Sequence, residues 1–397
     1  MSALQKSIMK TKLPPKCPRT SGISKLAPFG TSRRKDYRPV SWQHYFAKCE
    51  DVQTDSGKFR VYMSPEPDHP ERPRIVTLHG GGYSGLSWAL FTEEITNMIH
   101  CQVISMDLRG HGETEATEPD DLNGETLVKD VEQVLHKLFN SEIPPIILVG
   151  HSMGGAVAVR AAHLPSLEHC IQGIAVIDVV EGTAMDALAS MQSFLRGRPT
   201  HFKSIEHAIE WCVRSGQVRN VESAKVSMPG QIVNCATNKL AINEVPLSPP
   251  SPPSSPPAAA ARGARGGGDS IPEDEEAEVG EMPPPPDSAM NYKWRIDLSL
   301  TERHWAGWFS GLSTHFLSAR APRLLLLAGV DGLDRALTVG QMQGRFQMQV
   351  LTRCGHAVHE DCPGEVARVV ACFALRHRLT AATENGEQMH LVSAPGC

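Results

Sequence analysis

The sequence predicts an α/β protein: a mostly parallel sheet flanked by helices, with a helical cap inserted before the last two strands. Three observations predict it. Short apolar runs rich in β-branched residues recur at 74–78, 102–106, 146–149, 173–180, 324–328 and 346–351. Between several of them lie helical patterns, such as 125–139 with apolar Leu127, Val131, Val134, Leu135 and Leu138, and 154–162. Between 181 and 318 that alternation stops, and helical patterns dominate at 184–195, 204–215, 221–228 and 302–317. Strands alternating with helices of this length imply βαβ units. Runs that are apolar throughout, rather than every second residue, fit strands buried on both faces.

Composition bounds the rest. A chain of 397 residues that is 41% hydrophobic and 21% charged can bury a sizeable core. No run approaches the ~18–20 apolar residues of a membrane-spanning helix. The first residues show no apolar signal-peptide core, so the expectation is a cytoplasmic and/or nuclear protein without secretion. The ten cysteines are scattered and form no CxxC pair, and they read as reduced thiols.

Charge and proline mark the edges and one interruption. Residues 1–38 hold ten of the 39 Lys and Arg but one of the 44 acids, leaving 29 basic against 43 acidic residues elsewhere. With prolines at 14, 15, 18 and 28, that stretch reads as a disordered basic arm rather than a targeting helix. The acidic body argues against nonspecific nucleic-acid binding. Residues 246–286 hold 12 of the 30 prolines, a glycine run and an acidic patch at 273–281. Such a composition supports neither helix nor strand, so a disordered insertion over about 241–290 is expected within the cap. The predicted organisation is therefore a basic arm over 1–38, a first core part over 39–181, a cap over 182–318, a second core part over 319–380 carrying the general base, and a tail over 381–397.

The chemistry sits at strand ends. Gly150-His151-Ser152-Met153-Gly154 follows the run 146–149 and precedes a helix of small residues, which is GxSxG in the context that gives it meaning. The sharp turn lifts the Ser152 hydroxyl above the sheet edge at the positive end of a helix, and Ser152 is the expected nucleophile. His79-Gly80-Gly81-Gly82 follows an earlier strand. Its glycines let backbone N–H groups point at a developing oxyanion, with Gly81 and Met153 as the expected donors. His79 is expected to brace that loop, and Asp107 and Arg109 of the next turn to lock loops without chemistry. After the last strand comes Cys354-Gly355-His356-Ala357-Val358-His359. A Ser…Asp…His enzyme places its base there, and His356 is favoured over His359. For the acid, Asp178 competes evenly with Asp331 and Asp334, which follow the penultimate strand. Asp178 lies among Ile and Val and needs a partner, because an unpaired buried carboxylate is unfavourable. No HExxH or paired Cys/His spacing is present, so no metal and no cofactor are expected.

Longer stretches carry a family resemblance: GHSMGGA at 150–156, IDVVEGTAMDAL at 177–188, SFLRGRP at 193–199, LLLLAGVD at 324–331, GQMQG and FQMQVL between 340 and 351, and CGHAVHED at 354–361. With them the chain resembles the protein phosphatase methylesterases, enzymes of the α/β-hydrolase fold that remove the C-terminal methyl ester from the catalytic subunit of protein phosphatase 2A. The resemblance spans about 37–379 apart from the insertion. It implies Ser152 as nucleophile, His356 as base and Asp178 as acid. It also implies Arg376 near the active-site pocket and Met342 on a phosphatase-facing surface. The implied partner is the phosphatase catalytic subunit with its core complex, with neither nucleic acid nor membrane. In the family, phosphatase binding remodels the pocket and can hold the phosphatase inactive. A broad small-molecule carboxylesterase of the same fold is the alternative.

Overall fold

The computed structural model describes residues 35–140, 142–247, 290–329 and 332–388. Its strands, in chain order, are β1 (Lys48–Thr54), β2 (Gly57–Met63), β3 (Arg74–Leu78), β4 (Gln102–Met106), β5 (Glu115–Ala116), β6 (Ile146–His151), β7 (Ile171–Ile177), β8 (His201–Phe202), β9 (Ile232–Asn234), β10 (Tyr292–Trp294), β11 (Arg323–Leu327) and β12 (Gln347–Val350). The main sheet runs β1-β2-β4-β3-β6-β7-β11-β12, with β5 paired to β2. From β4 to β12 every neighbouring pair is parallel, while β1, β2 and β4 pair antiparallel. The six parallel strands occupy the six apolar runs of the sequence.

Burial explains why the central runs are unbroken, whereas β12 at the sheet edge alternates with Gln347 and Gln349 and is only partly buried. Along β6, Ile146 and Leu148 enter one core, and Ile147 and Val149 enter the other. The first core is covered by α2 (Gly124–Leu138) and α3 (Met153–Ala161), the second by α1 (Ala89–Met98) and, at the end of the chain, Pro363–Arg376. Helix α2 starts where Asn123 accepts a hydrogen bond from Glu125 N at 2.9 Å, and it buries Leu127, Val131, Val134 and Leu135 on one face. As expected, Asp107 and Arg109 lock loops. Buried Asp107 accepts from Gly85 N at 2.6 Å and Glu113 N at 2.9 Å, and Arg109 makes a two-pronged pair to buried Asp130, both contacts at 2.7 Å.

The cap differs from its sequence pattern in two ways. It contains α4 (Glu181–Arg196), α5 (Ile205–Ser215) and α6 (Val221–Ser227), but also a three-stranded antiparallel sheet, β8-β10-β9. Helical periodicity gave no sign of strands two or three residues long. The pattern over 302–317 also forms not one helix but two, α7 (Glu302–Phe309) and α8 (Leu312–Ser318). Gly311, at φ +75°, breaks it, and the Glu181 carboxylate then caps α8 by accepting from Gly311 N at 2.8 Å and Ser313 N at 3.0 Å. Trp305, Trp308, Phe309, Leu312 and Phe316 of these two helices pack into the first core.

Of the expected insertion, 248–289 lies outside the described residues, as do most of the basic arm (1–34) and the end of the tail (389–397). Tyr292 OH donates to the Glu244 carboxylate, joining the two sides of that insertion. After α8 and β11 the chain adds α9 (Arg335–Met342), then past β12 the turn α10 (Val358–Asp361), α11 (Pro363–Arg376) and α12 (Glu384–Gln388). No helix among the described residues is long and apolar enough to cross a membrane. Cys49, Cys101, Cys170, Cys212, Cys235, Cys354 and Cys362 are free thiols; Cys372 is not one of them.

Candidate active site

Ser152 sits between β6 and α3 at φ +51° and ψ −118°, a conformation that non-glycine residues rarely adopt. Its N–H is held by Ile177 O at 3.0 Å. Sterics at the flanking glycines show why the turn has its composition. A Cβ on Gly150 would stand 2.2 Å from Gly154 O, and one on Gly154 would stand 2.2 Å from Leu78 O. Either substitution would push backbone against backbone, so strand, turn and helix close this tightly only with glycine at both places.

The acid and the imidazole meet. His356 Nδ1–H donates to Asp178 Oδ2 at 2.8 Å. Asp178 is itself strained, at φ +52°, and is fixed from both ends: its N–H donates to Leu326 O at 2.7 Å and its Oδ1 accepts from Ala328 N at 2.9 Å. The carboxylate therefore has a partner on each oxygen. Asp334 is engaged elsewhere. It caps α9, accepting from Leu337 N at 2.9 Å, and takes a hydrogen bond from Ser313 Oγ. Asp331 lies outside the described residues. His359 is fully buried against Trp88 with neither ring nitrogen hydrogen-bonded, and burial holds its pKa down at about 3. An imidazole that neither reaches the pocket nor takes up a proton at neutral pH is no base.

One cavity of about 150 Å³ is lined by Gly81, Ser152, Met153, Asp178 and His356. Neither Gly81 N–H nor Met153 N–H donates to another backbone group of the described residues. Two histidines fix the loop around Gly81. His79 Nε2 accepts from Leu108 N at 3.0 Å while its Nδ1–H donates to Gly80 O at 2.8 Å, and His111 Nε2 accepts from Gly82 N at 2.8 Å. His79 thus braces the glycine loop, as expected. Burial depresses the pKa of His79 far below its ordinary value and that of His111 to about 4, so both stay neutral acceptors. Ser152 Oγ has no hydrogen-bond partner among the described residues. It shares the cavity with the His356 ring without being bonded to it, a looseness common before substrate tightens a site.

Some site residues gave no sequence signal. His151, inside the GxSxG turn, is fully buried and donates from Nε2 to His356 O at 2.8 Å, with the two rings 4.7 Å apart. It steadies the loop that carries the proposed base. Across the cavity stand Met191, Phe194 and Leu195 of α4, Arg198, Gln217, Trp305 and Trp308.

Arg376 requires a correction. It is exposed, does not line the cavity, and ends α11 toward the opposite end of the parallel strands from the site. Nearby Phe373 lies against Gly173 early in β7, whereas Asp178 follows the end of that strand. A helix of 14 residues is about 20 Å long, and it carries the chain from the His356 loop to the opposite side. Met342 is 84% exposed at the end of α9. No group of three or more His, Cys, Asp or Glu among the described residues could hold a metal.

A parallel sheet with helices on both faces, a serine on a glycine-flanked bend and a His–Asp pair on later loops define the class: a serine hydrolase of the α/β-hydrolase fold. A family model described as the alpha/beta hydrolase family matches residues 75–369. The fold is shared with E-2-(acetamidomethylene)succinate hydrolase (TM-score 0.57, 13% identity, 82% of this chain and 98% of that one). It is shared too with an esterase of Mycobacterium tuberculosis (TM-score 0.51, 17% identity, 81% and 90%). Protein phosphatase methylesterase 1 of Homo sapiens is 50% identical over 386 residues, covering 95% of this chain and 96% of the human protein. The probable counterpart of Caenorhabditis elegans is 39% identical over 92% of this chain and 83% of its own. The chain belongs to the protein phosphatase methylesterase family.

Proposed function

We propose that this protein removes the methyl ester from the C-terminal carboxylate of the protein phosphatase 2A catalytic subunit through an acyl-enzyme, and that it also binds the phosphatase core complex and holds it inactive. The observation that carries the chemistry is the 2.8 Å His356–Asp178 hydrogen bond in a cavity lined by Ser152 and two N–H groups without backbone partners. The names borne by the curated relatives support the substrate. In this reading Ser152 Oγ attacks the ester carbonyl as His356 Nε2 takes its proton, and Asp178 fixes the tautomer and stabilises the imidazolium. Gly81 N–H and Met153 N–H receive the oxyanion, each such donor contributing about 3–4 kcal/mol in the transition state. His356 then protonates the departing methanol, and the same residue deprotonates the water that frees the carboxylate. The unbonded Ser152 Oγ fits an enzyme whose pocket tightens when the phosphatase docks. The cytoplasmic and/or nuclear setting belongs to the same reading.

Methanol release from methylated phosphatase tests it. Ser152→Ala is expected to lower turnover by about 10⁴-fold or more, and undiminished release would overturn the assignment. The apolar cavity wall of Met191, Phe194 and Leu195 favours a second reading, a broad small-molecule carboxylesterase. Fast hydrolysis of short activated esters with indifference to the phosphatase would select it.

A further inference from the structure

The cap side of the cavity holds a cation that no carboxylate among the described residues pairs directly, Asp297 acting on it only through space. Arg198 lines the cavity, and its guanidinium carbon lies 3.6 Å from the centre of the Trp294 ring and 5.9 Å from that of Trp211. The platform is rigid. Trp294 Nε1–H donates to Pro199 O at 2.7 Å, and its ring meets Phe202 and Trp211 edge-on at 5.2 and 5.5 Å. Among the described residues the Arg198 side chain makes no hydrogen bond and no ion pair, and its Nε is buried without a partner. Burial brings its pKa down to about 10, which leaves it charged at neutral pH. A guanidinium placed over an indole face can keep its donor edge free, and that edge matches a carboxylate two-pronged. The apolar side chains of Phe194 and Leu195 and the ring of Tyr83 line the same cavity and lower the local polarity, which strengthens any such pair.

A methyl ester is neutral: its carbonyl can accept a hydrogen bond but gives a guanidinium no counter-charge. We propose that Arg198 is a carboxylate-binding residue of the substrate pocket, reading an acidic side chain in the peptide segment just before the methyl-esterified residue. This rests on the peptidyl methylesterase reading above and specifies the substrate sequence that site takes.

The test uses short peptide methyl esters that are uncharged except for a single Asp, moved through the positions preceding the esterified residue, each paired with its Asn counterpart. At one position the full-length protein is expected to favour Asp over Asn in kcat/KM by about tenfold, the range of a charge-assisted hydrogen bond. Arg198→Gln should bring that ratio to about one. Arg198→Lys keeps the charge without the fork and should retain part of the preference, which decides the matter should Arg198→Gln fail to fold. Equal turnover of Asp and Asn peptides at every position, or an undiminished ratio in Arg198→Gln, overturns the proposal. Inhibition by the demethylated peptide that depends on Arg198, without any Asp preference, overturns it in favour of the product carboxylate as ligand. If neither the peptide esters nor methylated phosphatase is hydrolysed while Ser152 still reacts with a fluorophosphonate, the methylesterase reading falls and takes this one with it; hydrolysis of the phosphatase alone overturns only this one.

Discussion

The cavity has two walls built on different principles. The core wall consists of Gly81, Ser152, Met153, Asp178 and His356, all set at the ends of parallel strands. Its polar groups are pinned individually. Ser152 and Asp178 hold left-handed backbones that neighbouring strands stabilise through single hydrogen bonds of 3.0 and 2.7 Å. The cap wall comes from α4, the Arg198 platform and α7, and it works mainly by contact between apolar side chains. Helix α4 buries only Ala184 and Ala187 fully and leaves Met191 and Leu195 half-exposed. Strained, hydrogen-bonded positions suit chemistry, where a misplaced atom lowers the rate steeply. A loosely packed wall with one anchored cation suits recognition. Changes to the first should therefore alter rate, and changes to the second should alter which ester is chosen.

The sharpest way to break that distinction is Asp178→Asn. Asparagine tolerates a positive φ and can still accept from Ala328 N, so the fold is expected to survive. Its amide N–H₂ would face His356 Nδ1 and favour the wrong tautomer. By analogy with other serine triads, kcat should fall by about 10⁴-fold. Steady-state kinetics beside a thermal melt would check it: a fall below about tenfold with an unchanged melt would mean that Asp178 only holds the strand end.

The two walls also differ in how far the sequence disclosed them. Strands buried on both faces leave unbroken apolar runs, and the GxSxG turn is legible because its steric demands are local: Gly150 meets Gly154 four residues away. Asp178 and Asp334 could not be separated, since each is defined by a distant partner, His356 for one and Ser313 with the α9 N-terminus for the other. Strand β1 was missed because most of its residues are exposed, and β8–β10 because two or three residues carry no periodicity. Arg198 stacks on a tryptophan 96 positions further on, across the insertion, and nothing near it in the chain marks it as unpaired. The resemblance suggested Arg376 beside the pocket, and helix length alone carries it away.

If recognition extends beyond the cavity, an outer surface should matter where neither wall does. Met342 is 84% exposed and supports no core, so Met342→Asp should leave the melting temperature within about 2 °C of the parent. Placed on a phosphatase-facing surface, the new charge should weaken binding to the phosphatase core complex by at least about tenfold, the loss of one well-packed contact. Titration calorimetry or surface resonance would measure it. Unchanged affinity would move the docking face away from α9 and leave the cavity walls as the whole of recognition.

The smallest effect is expected at the seam between the walls. Glu360 of α10, four residues past His356, is fully buried and accepts from Ser223 Oγ of the cap at 2.7 Å, while its Oε1 has no partner. Burial pushes its pKa up from 4.5 to about 8. The folded protein thus keeps a proton that the unfolded chain releases above about pH 4.5, so this group stabilises the fold fully at low pH and progressively less as pH rises toward 8. His359 acts in the opposite sense on the acid side: its lowered pKa means stability is lost as pH falls from 6.5 toward 3. Glu360→Gln keeps the acceptor for Ser223 and removes the titration. Melting temperatures from pH 5 to 9 should therefore decline less steeply in the variant than in the parent, by a few degrees at the alkaline end, with the two curves parallel below pH 5. Equal slopes would show that Glu360 ionises freely in the fold, and that the cap is joined to the His356 loop by an ordinary exposed hydrogen bond rather than by a buried, protonated one.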